Sequence, residues 1–428
     1  MNEVHNILIG FELNDEGSQL CYYDRKTAEP VSVPSKVGTN MFVFPTLLCK
    51  MAGKDEWHFG IEADYFGRQS DGILIEGLCD LLKSSDSLVV DGCEMHPGEL
   101  LAIYIRLALS LTGVRNLLRN IGFLTLTTRS LDRIFVENVR EAFEILGLSR
   151  DQYAVLDQME SGFNYIYSQK KEITSRKIAI FHFEQMEDPS GTGLFHDMKV
   201  SYTSYEANHA TRPYLVRSEK APAISLPENK EERDATLVSY IEEKMGMQLF
   251  SAIYLTGEGF DTSWAKKSVA LLCRGNRHVF SGQNLYVRGA CYASLNKKES
   301  HHLRSYLYLG DDLVRTNIGM EMIVRGNPSN YPLISAGMNW FDAEKSCRII
   351  LDGRDYLAFS INSMDGRVRK MYRMELPGLP KRPNRTTRLE LSVSCPGPKE
   401  CIVKVKDLGF GEFFESSGLT WQDSLPLY

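Results

Sequence analysis

The stretch 251–295, SAIYLTGEGFDTSWAKKSVALLCRGNRHVFSGQNLYVRGACYASL, leaves few folds open. Its apolar run Ala252-Ile253-Tyr254-Leu255 reads as a buried strand, and Thr256-Gly257-Glu258-Gly259 as the tight turn that ends it. A helix follows, with Trp264, Val269, Leu271 and Leu272 at its apolar positions. A second helix of small residues, Val287-Arg288-Gly289-Ala290-Cys291-Tyr292-Ala293, closes the segment. Glycines after a strand permit positive φ and let a ligand approach the backbone. The helix amino-terminus beyond them offers unpaired N–H groups to an anion. Equally, any α/β protein turns from strand to helix through such residues, so a lone Gly-x-Gly decides nothing.

The whole segment resembles the adenosine-binding end of the Hsp70/actin-like ATPase fold. In that family a strand runs into a glycine pair, and a helix with a Gly-Ala-Ala-like run follows. Here the pair is Gly257 and Gly259, split by Glu258, and the run is Gly289-Ala290. The resemblance implies an α/β chain with two actin-like (RNase H-like) lobes, 1–176 and 177–296. It also implies a third domain, 297–428, whose short alternating strands and turn signals at Asp352-Gly353, Asp365-Gly366 and Pro396-Gly397-Pro398 predict an antiparallel β-sandwich.

The amino-terminal strand Asn6-Ile7-Leu8-Ile9-Gly10-Phe11-Glu12-Leu13 turns through Asn14-Asp15-Glu16-Gly17 into Ser18-Gln19-Leu20-Cys21-Tyr22-Tyr23, a hairpin by its turn residues. In the family this is the first phosphate loop. Glu12 matches the family's Asp, whereas Asn14, Asp15 and Glu16 replace its Gly and hydroxyl residues. Two carboxylates beside a triphosphate repel it unless a metal intervenes. Met41 to Leu48 resembles the family's Pro-Ser strand, and Trp57-His58-Phe59-Gly60-Ile61-Glu62-Ala63 its return strand, with His58 structural.

Pro97-Gly98-Glu99 opens a helix through Leu117, and the buried strand Ile121-Gly122-Phe123-Leu124-Thr125-Leu126 and a helix from Asp132 to Gly147 follow. The segment 154–165, AVLDQMESGFNY, resembles the family's connecting helix. Gln158 stands where Hsp70 proteins carry a Glu and actins a water-positioning Gln. With Glu12 it is the candidate catalytic residue; a surface Gln is the plainer reading.

The second phosphate loop reads Asp-x-Gly-Gly-Gly in the family and His182-Phe183-Glu184-Gln185-Met186 here. Bulky side chains keep the backbone from a phosphate, and Mg²⁺ prefers oxygen to imidazole. A solvated loop, 187–193, comes next. Residues 207–233, polar and proline-bearing, read as a connection, too short for the subdomain that sandwiches adenine in Hsp70 proteins.

The implied function is an Hsp70-like protein that hydrolyses no nucleotide or binds it weakly, acting as a protein-binding, chaperone-like or scaffold module. The alternative is an active Mg-ATPase of the same fold. Candidate binding residues for ATP or ADP, with Mg²⁺, are Asn14, Asp15, Gly257, Glu258, Gly259 and Gly289. A protein or peptide partner is expected on the β-domain. Net charge is −6 over 428 residues, so no nucleic-acid partner is expected. Without an 18-residue apolar run or a signal-like amino-terminus, no membrane partner is expected either, and the location is expected to be cytoplasmic. Nine scattered cysteines fit a reduced compartment. No protein metal site is expected; His301-His302 are adjacent and do not share a helix face. The basic cluster Lys381-Arg382-Pro383-Asn384-Arg385 reads as a solvated loop, and the aromatic tail 410–427 as packing on the sandwich or, alternatively, as an exposed binding strip.

Overall fold

The apolar run Ile7–Leu13 (β1) returns through its polar turn as Ser18–Asp24 (β2), and Glu29–Ser32 (β3) pairs antiparallel with β2. These elements belong to a computed structural model that describes residues 6–428 other than 37, 70, 187–196, 276, 300–302, 304, 325 and 365–366. The expectations for the initial residues, for the loop 187–193, for Asp365-Gly366 and for His301-His302 lie outside the described residues.

Leu48–Met51 (β4), Trp57–Phe59 (β5) and Gly72–Ile75 (β6) form a small sheet beside helix Gly60–Gly67 (α1). Helix Leu78–Leu81 (α2) and the hairpin Leu88–Val90 (β7) and Cys93–Met95 (β8) follow. Helix Pro97–Leu109 (α3) starts with proline at its first position, where no N–H partner is needed. Glu99 returns to accept the His96 N–H at 2.8 Å.

After Leu117–Asn120 (α4), the strand Ile121–Thr128 (β9) lies parallel to β1. Helix Arg133–Ile145 (α5) is capped by Asp132, and Tyr153–Asp157 (β10) lies parallel to β9. The sheet order is β10-β9-β1-β2-β3. Every residue of β9 is buried, its apolar Ile121, Phe123, Leu124 and Leu126 together with the threonines at 125, 127 and 128. Asp157 caps helix Gln158–Tyr167 (α6).

Lys177–Met186 (β11), Asp197–Asn208 (β12) and Tyr214–Leu226 (β13) form an antiparallel meander. Helix Lys230–Met245 (α7), strand Phe250–Gly257 (β14), helix Lys266–Leu272 (α8), strand His278–Ser281 (β15) and helix Leu285–Glu299 (α9) complete the pattern. Tyr306–Tyr308 (β16) adds to the edge, giving β15-β14-β11-β12-β13-β16. The first five strands of this sheet repeat the order of the first sheet. In each, a three-stranded meander has two parallel strands on the far side of its first strand.

Helices α6 and α9 pack against each other and carry side chains into both sheets. Phe163, Ile166 and Tyr286 join Ile178, Ile180 and Tyr254 of the second sheet, whereas Tyr292 and Leu295 meet Leu8 and Phe123 of the first. Each fully buried Leu or Val in such a layer contributes roughly 1.5–3 kcal/mol. The close approach needs missing side chains. A Cβ on Gly289 would lie 2.0 Å from the Ser161 carbonyl oxygen, and one on Gly10 would lie 2.3 Å from that of Val287. Hydroxyl pairs fill the remaining gaps: Thr125 Oγ1 with Ser294 Oγ at 2.7 Å, and Ser161 Oγ with Thr127 Oγ1 at 2.8 Å. Among the described residues, no helix is long and apolar enough to cross a membrane.

Six readings of this part are corrected. The helix expected through Leu117 ends at Leu109, and the strand expected over 57–63 ends at Phe59, where Gly60 with φ +59° opens α1. Residues 214–226 form a thirteen-residue strand rather than a connection. Pro222 sits where β13 has a partner on one side only, a position that tolerates a missing N–H. The run 41–48 is not a strand as a whole; Phe44 makes one bridge to Ser18 and regular pairing starts at Leu48. Residues 306–308, expected to open the β-domain, pair with β13; Tyr306 packs tilted against Tyr167 at 4.7 Å and Tyr308 stacks on Phe163 at 5.0 Å. The chain accordingly divides into Met1–Tyr308 and Leu309–Tyr428 rather than at 296.

The second unit holds two antiparallel sheets. Thr316–Val324 (β17), Asn327–Ile334 (β18), Tyr356–Ser363 (β20) and Arg369–Glu375 (β21) are ordered β18-β17-β20-β21. Glu344–Ile350 (β19), Arg388–Gly397 (β22), Glu400–Gly409 (β23) and Thr420–Pro426 (β24) are ordered β19-β22-β23-β24. The alternation in β20 and β22 buries Leu357, Phe359 and Ile361, and Leu389, Leu391 and Val393. Part of the basic cluster is not a solvated loop. Arg382 is buried in a two-pronged pair with Asp407, 2.8 Å on both arms. That guanidinium, with donors from Ser417 and Gly409, holds the Asp407 carboxyl far below its usual range.

Candidate functional site

Strand β1 ends by carrying Glu12 into the interior, 4% exposed. One carboxylate oxygen accepts from Gln158 Nε2 at 3.0 Å and from Asn14 Nδ2 at 3.1 Å; the other, Oε2, has no partner. The two candidate catalytic residues therefore touch, together with one of the candidate binding residues. Burial pushes the Glu12 carboxyl up to about 7, against the opposing pull of Gln158, Asn14 and Arg129. Gln19, its cross-strand partner on β2, also has a buried side-chain oxygen without a partner, as does Asn14. A protonated Glu12 gives this pocket of acceptors a donor.

On the second sheet, His182 of β11 stands at the position equivalent to Glu12. Burial holds it neutral, with its pKa lowered to about 4. Its ring meets Tyr286 of α9 edge-on at 5.6 Å. Arg129, directly after β9, spans the two sides. One arm reaches Glu16 on the first turn at 2.8 Å, and the other reaches Glu184 on β11 at 3.5 Å. Glu184 in turn lies 3.6 Å from His182. Sequence reasoning missed Arg129 and Tyr286. A cation placed immediately after a fully buried strand was the available signal for the first.

The other candidates go elsewhere. Asp15 accepts the Cys79 N–H at 2.9 Å and so serves the start of α2. Gly257 has φ +87°, and a Cβ there would stand 2.0 Å from the Phe183 carbonyl oxygen. The Glu258 N–H donates to that same oxygen at 3.0 Å. Gly259, φ +90°, lies against Met198 and Gln185, and its carbonyl accepts from Trp264 Nε1 at 3.2 Å. Gly289 serves the helix crossing already described. Glycine is needed at 257 and 289 for close packing against the chain itself. His58, read as structural, stacks on Phe66 at 4.0 Å. Among the described residues, no group of three His, Cys, Asp or Glu side chains is arranged to hold a metal.

A separate cavity of about 480 Å³ is lined by Phe42, Tyr165, Tyr254, Phe280, Asn284 and Arg288 among others. None of the residues expected from the sequence to bind or catalyse lines it.

A model for the family of unknown function DUF5716, C-terminal part, matches residues 29–311, well over half of the chain. The chain belongs to the DUF5716 family. The match ends within a few residues of the boundary after Tyr308. A model for a second domain of unknown function, DUF8552, matches 313–427, which is nearly all of the second unit. A comparison with curated proteins gave no match. Within the first unit, the DUF5716 span begins at β3, so Arg129, Gln158, His182 and Tyr286 lie inside it and Glu12 precedes it.

Proposed function

We propose that this DUF5716 chain is a two-lobed Hsp70/actin-like protein with a carboxy-terminal β-sandwich, and that it acts as a protein-binding module that does not hydrolyse nucleotide. The repeated strand order of its two sheets, with α6 and α9 between them, supports the two-lobed reading. One observation carries the functional reading: Arg129 ties Glu16 to Glu184 beside the buried Glu12. In the resemblance, this is the ground between the two phosphate loops. A triphosphate there would face the carboxylates of Glu16 and Glu184 and a Glu12 that titrates near 7, and would have to displace Arg129 from both of its partners. One such charge pair at 4 Å costs about 4 kcal/mol at an effective dielectric constant of 20. The packing of Gly257 on Phe183 closes the glycine turn in the same sense.

The β-sandwich is the side assigned to a protein or peptide partner. Its loop after β23 holds Phe413 with 91% of its surface exposed, an apolar side chain that a partner would cover. The alternative, an active Mg-ATPase of the same fold, draws on the contact between Gln158 and Glu12. It also draws on the three unpartnered oxygens nearby, which a hydrated cation would satisfy. Phosphate release separates the two. With excess Mg-ATP, release should stay at the rate of a blank, and Glu12→Ala and Gln158→Ala should not change it. Turnover that either substitution abolishes in a folded protein would establish the alternative.

A further inference from the structure

The 480 Å³ cavity has the size of a small-molecule site and walls of a specific kind. Tyr254 of β14 and Phe280 of β15 are cross-strand partners whose rings stack at 5.0 Å and 20°. Tyr165 of α6 meets Tyr254 edge-on, at 5.7 Å and 81°. Phe280 is 37% exposed while Tyr254 beneath it is 5% exposed, so Phe280 supplies the open face of this pair and Tyr254 backs it from the core. Offset stacking on such a shelf favours a flat ring.

The charge on the lining is one-sided. Arg288, on the first turns of α9, is the cation, and among the described residues no Asp or Glu lines the cavity. Its guanidinium lies over Tyr165 at 5.6 Å, and its Nε is buried without a hydrogen-bond partner. Glu29 pairs with Arg288 through the other end of the guanidinium at 3.6 Å, longer than a charge-assisted hydrogen bond. Asn284 is fixed by donating to Ser32 Oγ at 2.7 Å, which holds this rim in place. An arginine with an unused donor, set against aromatic rings, matches a planar carboxylate.

We propose that this cavity binds a planar aromatic or heteroaromatic carboxylate, with its ring on Tyr254 and Phe280 and its carboxylate on Arg288. The inference goes beyond the nucleotide reading and stands apart from it, since Glu12, Gln158 and Gly257 do not line the cavity. The test is calorimetric titration of the full chain with indole-3-carboxylate and with its neutral isostere, indole-3-carboxamide. The acid should bind with a dissociation constant of about 100 μM or tighter, and the amide at least about tenfold more weakly. Arg288→Gln should bring the acid down to the level of the amide. Phe280→Ala, at a partly exposed site, should weaken both ligands about tenfold, and it keeps the test decisive if Arg288→Gln does not fold. No binding of the acid at 1 mM (a ~4 kcal/mol threshold) overturns the proposal. So does equal binding of acid and amide, or binding that survives both substitutions.

Discussion

Gly289→Val is expected to destabilise the first unit by about 4 kcal/mol or more, the range in which a forced backbone clash unfolds a domain. The added Cβ would stand 2.0 Å from the Ser161 oxygen and 2.7 Å from its carbonyl carbon. Both are backbone atoms of α6, so no flexible side chain can yield. Even Gly289→Ala should lower the urea midpoint clearly, although alanine favours helix over glycine by about 1 kcal/mol. If Gly289 instead served a ligand, the alanine variant would keep its midpoint and lose binding. An unchanged midpoint for the valine variant would contradict the packing account.

Glu12→Gln is expected to do the opposite at alkaline pH. The Glu12 carboxyl titrates near 7 in the fold because burial penalises its charge. Between the ordinary carboxylate value and 7, the folded state holds a proton that the unfolded chain has released. Stability from this group therefore falls as pH rises through that interval and levels off above it. By pH 8 the ionised carboxylate costs the fold about 3 kcal/mol. Glutamine keeps the acceptor for Gln158 and Asn14 and removes the charge. The variant should thus gain up to about that amount at pH 8 and little near pH 4.5. His182 works in the opposite direction: its lowered pKa costs stability as pH falls below its ordinary range. The difference between wild type and Glu12→Gln, measured by urea unfolding at both pH values, isolates the Glu12 contribution. A variant less stable than wild type at pH 8 would show that the ionised carboxylate is needed, as for a cation site.

Much of the first unit was legible because its elements carry local signals. The run 252–255 with its glycines, the cap at Asp132 and the hairpin 14–17 each specify a structure within a few residues. Edge strands were not legible. Pro222 in β13 made its stretch read as a connection, and no strand was expected around Pro328 and Pro332 in β18, because prolines are tolerated only where a strand lacks one neighbour, and that depends on the sheet.

The site was legible in half. Glu12 and Gln158, 146 positions apart and each singled out in the sequence, are hydrogen-bonded. The glycines were over-read, since sequence cannot distinguish a glycine that admits a ligand from one that admits Phe183 or Ser161. Arg129 escaped because its meaning lies in Glu16 and Glu184, far away along the chain.

The most direct test is calorimetric titration of the purified full chain with ATP and ADP, each with and without Mg²⁺. A cleft closed by Arg129 and its carboxylates predicts no Mg²⁺-dependent binding at millimolar nucleotide. Binding tighter than about 100 μM, roughly 5.5 kcal/mol, that requires Mg²⁺ and is lost in Glu12→Ala would contradict it.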